Sequence, residues 1–202
     1  LELKHIYKHG RNPERPVLLL LHGTGGNEED LMPLARMIDP EAAILSVRGN
    51  VEENGMPRFF KRLREGVFDH EDLAKRTDEL YEFIQEAAKQ YEFNLGQVTA
   101  IGYSNGANIA ANLLFRHGPV LKNAILHHPM VPDADALIPE VKELPVWIGA
   151  GANDPICPPE QTEELDRKLQ EAGAEVKVNW YQAGHQLTQE EAKDAAVWYG
   201  AP

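Results

Sequence analysis

The chain has 202 residues, 43% of them hydrophobic, and a formal net charge of −12. That length suits one domain, residues 1–202, with a buried core and no large cap, and the acidic balance argues against nucleic acid and anionic membrane surfaces as partners. The longest purely apolar run, Val17 to Leu21, falls far short of the roughly 20 residues that span a bilayer.

From the start of the chain, Leu1 to His5 lacks an initiator methionine and the apolar stretch of a secretion signal, and a cytoplasmic protein is expected. An edge strand is predicted around Lys4 to Tyr7. Buried strands follow at Val17 to His22 and Ala43 to Val47, with a helix between them at about Asp30 to Ile38. The segment from Arg48 to Phe68 reads as a long irregular loop. A helix over Asp72 to Tyr91 is the clearest element: Leu73, Thr77, Leu80, Tyr81, Ile84, Ala88 and Tyr91 repeat at three- and four-residue steps while Glu and Lys fill the other face. Strands are then expected at Val98 to Gly102, Ala124 to His127, Val146 to Ala150 and Val176 to Tyr181. Helices alternate with them at Asn105 to Arg116, Pro159 to Ala172, where Gly173 ends the helix, and Gln189 to Tyr199. The stretch His128 to Leu144 is a second long loop, and loops of this length in a compact domain are usually functional walls. Apolar runs alternating with amphipathic ones predict the α/β class, a mostly parallel central sheet with helices on both faces.

Of only two serines, Ser104 lies in Gly102-Tyr103-Ser104-Asn105-Gly106, directly after an apolar strand and directly before a helix. A strand that delivers serine into a helix through so tight a turn strains the backbone at the serine and needs neighbours without side-chain bulk, which glycine supplies. A serine hydroxyl is a poor nucleophile near neutral pH. It needs a histidine base, and the histidine needs a carboxylate to fix its tautomer. Asp154, in Gly151-Ala152-Asn153-Asp154-Pro155, falls at the carboxyl end of one strand, and His185, in Gln182-Ala183-Gly184-His185-Gln186, at the end of the next. The chain order Ser104, Asp154, His185 is that of an α/β-hydrolase. His127 and His128 also end a strand. Neighbouring residues of a strand point to opposite faces and no acid lies at a ligand-like spacing, so they read as pocket wall or core rather than as a metal site.

The oxyanion formed during acyl transfer needs preorganised N–H donors. One is expected from the backbone of Asn105, the other from Thr24 in His22-Gly23-Thr24-Gly25-Gly26-Asn27, where missing side chains let backbone approach a substrate. Gly26 is not followed by the lysine and hydroxyl of a phosphate-binding loop, so nucleotide is not the expected ligand. Gly23, Phe59, Phe60 and Ile156 are the expected substrate contacts, the two phenylalanines forming an apolar wall. Arg58, Lys61, Arg62 and Arg64 form a short basic run that reads as a solvated loop or as a partner for an anionic substrate group. The single cysteine, Cys157, excludes an intrachain disulfide and reads as a small buried residue close to the acid, with a redox-sensitive thiol as the alternative.

These motifs resemble the phospholipase/carboxylesterase family of small α/β-hydrolases, which also contains acyl-protein thioesterases. The carriers are His22 to Leu31, the serine turn, Gly151 to Ile156 and Gly184-His185-Gln186-Leu187. Within the family the chain is most similar to bacterial carboxylesterases associated with quinone and hydroquinone stress, to which Gly55-Met56-Pro57-Arg58-Phe59-Phe60 also points. The resemblance implies Ser104, Asp154 and His185 as a catalytic triad and the N–H groups of Thr24 and Asn105 as the oxyanion hole. Asn105 stands where many acyl-protein thioesterases carry Gln. The expected activity is hydrolysis of small to medium carboxylic esters through an acyl-enzyme, without cofactor or metal. A thioesterase or lysophospholipase of the same family is the alternative, and a non-catalytic small-molecule receptor on the same fold is the rival from another class. Dimerisation through an edge strand or helix face is left open.

Overall fold

The apolar runs pair into one sheet because their backbone groups, buried on both faces, can be satisfied only by one another. The computed structural model describes residues 2–200. In chain order the elements are β1 (His5–Lys8), β2 (Val17–Leu21), α1 (Met32–Ile38), β3 (Ala43–Val47), β4 (Val51–Glu53), β5 (Met56–Arg58), β6 (Arg62–Arg64), β7 (Val67–Phe68) and α2 (His70–Gln90). A 3₁₀ turn then leads into β8 (Val98–Tyr103), α3 (Asn105–His117), β9 (Asn123–His127), β10 (Pro145–Gly151), α4 (Pro159–Glu171), β11 (Glu175–Tyr181) and α5 (Gln189–Tyr199).

Seven strands form the central sheet in the order β1-β3-β2-β8-β9-β10-β11. All pairs are parallel except β1 with β3. This is the α/β-hydrolase architecture expected from the alternation of strands and helices. Side chains alternate between faces as a strand must place them. Val17, Leu19 and Leu21 of β2 join the core under α2, α3 and α4, whereas Leu18 and Leu20 pack under α1 and α5. Helix α3 is buried from Asn105 to Phe115, which makes it the inner helix of its layer. No helix among the described residues is long and apolar enough to cross a membrane.

Two features differ from the sequence reading. Helix α2 begins at His70, two residues early, because Asp69 accepts the Asp72 N–H as an N-cap. The segment read as one irregular loop, Arg48 to Phe68, instead forms two short hairpins. The first turns at Asn54-Gly55, both with positive φ (52° and 79°), the conformation that a two-residue hairpin turn requires. The stretch His128 to Leu144 contains neither helix nor strand, as expected.

The close approach of α3 to the sheet depends on Gly106. A Cβ there would collide with the backbone carbonyl of Leu21 and lie 2.6 Å from that of His22. Backbone cannot swing aside as a flexible side chain would. Gly106→Ala is therefore expected to cost about 1–3 kcal/mol, or roughly 2–12 °C in Tm. Calorimetry checks this, and an unchanged Tm would contradict the packing described.

Candidate active site

Strand β8 passes into α3 with no intervening loop, so one residue must absorb the whole reversal of backbone direction. That residue is Ser104, at φ 53° and ψ −111°. Positive φ is uncommon for a residue with a Cβ and persists only where the surroundings hold it. Here the Ser104 N–H donates to the His127 carbonyl at 2.9 Å, and its carbonyl accepts from Asn108 N–H at 2.9 Å. The hydroxyl does not cap the helix that follows. It lies 2.8 Å from Nε2 of His185.

His185 is presented by the loop after β11, and its Nδ1 lies 2.7 Å from Asp154 Oδ2. A proton on Nδ1 shared with the carboxylate leaves Nε2 as an acceptor for the serine hydroxyl. The loop is pinned twice: Gly184 N–H donates to Asn153 Oδ1 at 2.9 Å, and the Tyr103 hydroxyl donates to the His185 carbonyl at 2.6 Å. Burial, with the negative charges of Asp154 and Glu191 adding to it, pushes the Tyr103 phenol up to about 12, so it stays a donor. Asp154 is buried in the loop after β10. Its Oδ1 accepts the N–H groups of Ile156 and Cys157 at 2.8 and 2.9 Å, and its Oδ2 accepts from His185 and from Nδ1 of His128, the latter at 3.0 Å. Burial alone would push this carboxyl up. The Cys157 N–H, the two histidines and the Ile156 N–H outweigh it and hold the group below the usual aspartate value of 3.8.

On the other side of Ser104, Asn105 occupies the first position of α3, where a backbone N–H has no intrahelical acceptor. Its side chain is committed elsewhere, Oδ1 accepting Phe59 N–H at 2.7 Å. Thr24 is set by Arg58, which donates from Nη1 to the threonine hydroxyl and from Nε to the Phe60 carbonyl at 3.0 Å. Arg58 is only 2% exposed, and burial, reinforced by the charge of Arg62, lowers its pKa to about 10 despite Glu53 at 3.6 Å. His22 holds the glycine loop from below. Its Nδ1 bonds the Gly23 carbonyl at 2.6 Å and its Nε2 accepts Gly49 N–H at 3.0 Å, a neutral tautomer consistent with burial lowering its pKa.

A cavity of about 30 Å³ opens beside Ser104, lined by residues that include Thr24, Arg58, Phe68, Asn105, Met130 and Ile156. That is room for about one water molecule. Ser104, Thr24, Asn105 and Ile156 are thus brought together as the sequence suggested. Phe59 and Phe60 are not. They are 3% and 0% exposed, Phe60 edge-on to Phe68 in the core and Phe59 against His22, because the chain leaving β5 turns both rings inward. The aromatic ring that does line the cavity is Phe68. Gly23 serves packing, since a Cβ there would lie 2.9 Å from the Tyr103 ring. The basic run divides: Arg58 is buried, Arg62 forms a bidentate pair with Glu53, and Lys61 and Arg64 are exposed.

Cys157 is buried, donates to the His128 carbonyl at 3.2 Å, and has its thiol pKa pushed up by burial and by Asp154 and Glu65. A thiol so held is a packing residue, not a redox-reactive one. Glu191 is the polar group that sequence reasoning missed; His127 and His128, read as pocket wall or core, are both buried. An acid does approach the histidine pair, from a helix more than sixty residues away. Among the described residues His128, Asp154 and His185 lie close enough to suit a metal, but every candidate ligand atom already has a hydrogen-bond partner in the chain.

The dienelactone hydrolase family model matches residues 49–200. The Bacillus subtilis (strain 168) protein MhqD is 60% identical over 197 residues, covering 98% of each chain. A Bacillus cereus carboxylesterase structure superimposes with a TM-score of 0.96 at 56% identity, covering 98% of this chain and 93% of that one. The structure of YahD with malic acid gives a TM-score of 0.92 at 34% identity, covering 98% of each. The Bacillus cereus neighbour carries the carboxylesterase name that the motifs suggested.

The lowered pKa of Asp154 sets a pH dependence. A group whose folded pKa lies below its unfolded value stabilises the fold above the unfolded value and loses that contribution as pH falls through the folded one. The parent is expected to exceed Asp154→Asn in denaturant midpoint at neutral pH, with the gap closing as pH falls below 3.8. A gap that stays constant down to strong acid would contradict the assignment.

Proposed function

We propose, for a chain that belongs to the dienelactone hydrolase family, that it is a serine carboxylesterase acting on small carboxylic esters through a Ser104 acyl-enzyme. The observation that carries this reading is the unbroken chain of hydrogen bonds from Ser104 Oγ to His185 Nε2 at 2.8 Å and from His185 Nδ1 to Asp154 Oδ2 at 2.7 Å.

His185 takes the hydroxyl proton as Ser104 Oγ attacks the ester carbonyl, and Asp154 steadies the imidazolium that results. The negative charge on the former carbonyl oxygen falls where the N–H groups of Asn105 and Thr24 and the N-terminal end of α3 favour it. Collapse of the adduct breaks the ester C–O bond, and His185 returns its proton to the departing alcohol. Water then repeats the sequence on the acyl-enzyme and frees Ser104 and a carboxylic acid. The small cavity favours short acyl groups over long ones, and Arg58 and Arg62 would give an acidic substrate group a cationic partner. The malic acid in the YahD structure is such an acid.

Two variants test the roles. Ser104→Ala is expected to abolish turnover of p-nitrophenyl acetate while leaving Tm unchanged. Asp154→Asn should lower turnover by about four orders of magnitude, through the wrong histidine tautomer. Near-full activity in the first, or a loss under about tenfold in the second, would overturn the assignment. On a series from acetate to palmitate the shortest esters should turn over fastest. A preference for palmitate would instead favour the thioesterase or lysophospholipase reading, and binding without turnover the receptor.

A further inference from the structure

Behind Asp154 lies a second acid–histidine array that the mechanism above does not use. His128 is fully buried, and its ring is held at both nitrogens by carboxylates: Nδ1 is 3.0 Å from Asp154 Oδ2, and Nε2 is 2.7 Å from Glu191 Oε1. Glu191, 0% exposed, gives its other oxygen to Nδ1 of His127. We propose that His128 and Glu191 are positioning residues of the esterase site: His128, an imidazolium clamped between two buried carboxylates, fixes the Asp154 carboxylate against which His185 is aligned. The inference rests on the reading of Ser104, His185 and Asp154 given above.

The proton count supports the charge. Asp154 already accepts two backbone N–H groups on Oδ1, so it meets His128 as an acceptor and Nδ1 must carry a proton. Glu191 meets only imidazole nitrogens. With a proton on Nε2 as well, two carboxylates and one imidazolium leave a net charge of −1, the same as Asp154 would carry alone. Glu191 therefore adds no net charge to the interior, which removes the main objection to burying it. Burial opposes the charged form of both groups. The hydrogen bonds and charges of Glu191 and Asp154 nevertheless raise His128, and those of His127 and His128 lower Glu191.

The surroundings are built for this array. Thr188 caps α5 by accepting Glu191 N–H, and Thr188-x-x-Glu191 has the spacing of a capping box, in which the glutamate would reach back to the helix start. Here the carboxylate turns inward instead. Gly149 of β10 makes room for it, since a Cβ there would lie 2.5 Å from Glu191 Oε2. His128 itself holds a φ of 55°, pinned by its N–H to the Gly149 carbonyl at 2.7 Å and by the Cys157 thiol on its own carbonyl. The positive φ at the end of β9 is what brings two consecutive histidines onto one carboxylate, where strand alternation would have parted them.

The titratable groups facing His128 are Asp154, Glu191, His185 with ring centres 5.4 Å apart, Tyr103 at 6.1 Å, and Cys157, with His127 beyond Glu191. Tyr103 and Cys157 stay protonated and neutral. Held as an acceptor from both sides, Asp154 Oδ2 keeps the orientation that fixes the His185 tautomer.

Glu191→Gln is nearly isosteric and supplies a donor to Nε2, which leaves the His128 ring neutral with its proton to Asp154 intact. His128→Asn removes the ring, and asparagine tolerates the left-handed backbone. His128→Asn should lower kcat on a short ester by on the order of tenfold with KM unchanged, and Glu191→Gln, which keeps the His128 proton on Asp154, should lower it less. ¹⁵N NMR of the parent should find both ring nitrogens of His128 protonated at neutral pH, against one in Glu191→Gln. A neutral His128 in the parent, or a kcat unchanged in His128→Asn while only Tm falls, would overturn the proposal. If His128→Asn does not fold, Glu191→Gln and the parent spectrum decide. Absence of Ser104-dependent turnover in the parent would instead overturn the esterase reading itself.

Discussion

The geometry of the site hangs on one strained residue. Ser104 sits at φ 53° between a buried strand and a buried helix, and neither can retreat to relieve it. Gly102 and Gly106 make the junction possible: a Cβ at the first would lie 2.6 Å from backbone of the second, and a Cβ at the second would strike backbone of β2. From this junction follow the half-buried hydroxyl, the orientation of the first turn of α3 toward it, and the placement of the β10 and β11 loops that must meet it. The cost of the left-handed serine, of the order of 1–3 kcal/mol, is borne by a core that includes all of α3 through Phe115.

Electrostatics complete what the backbone begins. Asp154 is ionised in a buried place because four donors converge on its two oxygens, and two of these are histidines with opposite relations to the chemistry. In the proposed mechanism His185 passes protons between Ser104 and substrate. His128 cannot reach substrate, and its other nitrogen is closed by Glu191. The same carboxylate thus faces one mobile proton and one fixed one. On the side of the proposed oxyanion hole the arrangement is similar, with His22 and Arg58 holding the loop that carries Thr24 through hydrogen bonds to Gly23, Gly49 and the threonine hydroxyl.

Much of this was legible in the sequence, for physical reasons that can be named. Five-residue apolar runs such as Val17 to Leu21 have no stable place except a strand buried on both faces, and the twenty-one-residue α2 announces itself by periodicity. Ser104, Asp154 and His185 were legible because each follows a strand, and parallel strands put their carboxyl ends on one edge. The hairpin at Asn54-Gly55 carried a local signal that the length of the segment obscured. Phe59 and Phe60 misled because an apolar residue in a functional loop fills the core as readily as it lines a cavity. The array of His127, His128 and Glu191 was illegible: it joins residues 64 and 63 positions apart, its glutamate sits in a pattern that reads as a helix cap, and its geometry depends on a positive φ at a histidine.

The central claim is that Ser104 is a nucleophile activated by His185 and Asp154. Intact-mass spectrometry of the folded protein after treatment with a fluorophosphonate tests it most directly, because the probe reacts only with a serine whose proton is being withdrawn. The account predicts a single adduct, mapped to Ser104 and not to Ser46, the other serine of the chain. A folded protein that remains unlabelled, or that is labelled elsewhere, would contradict it.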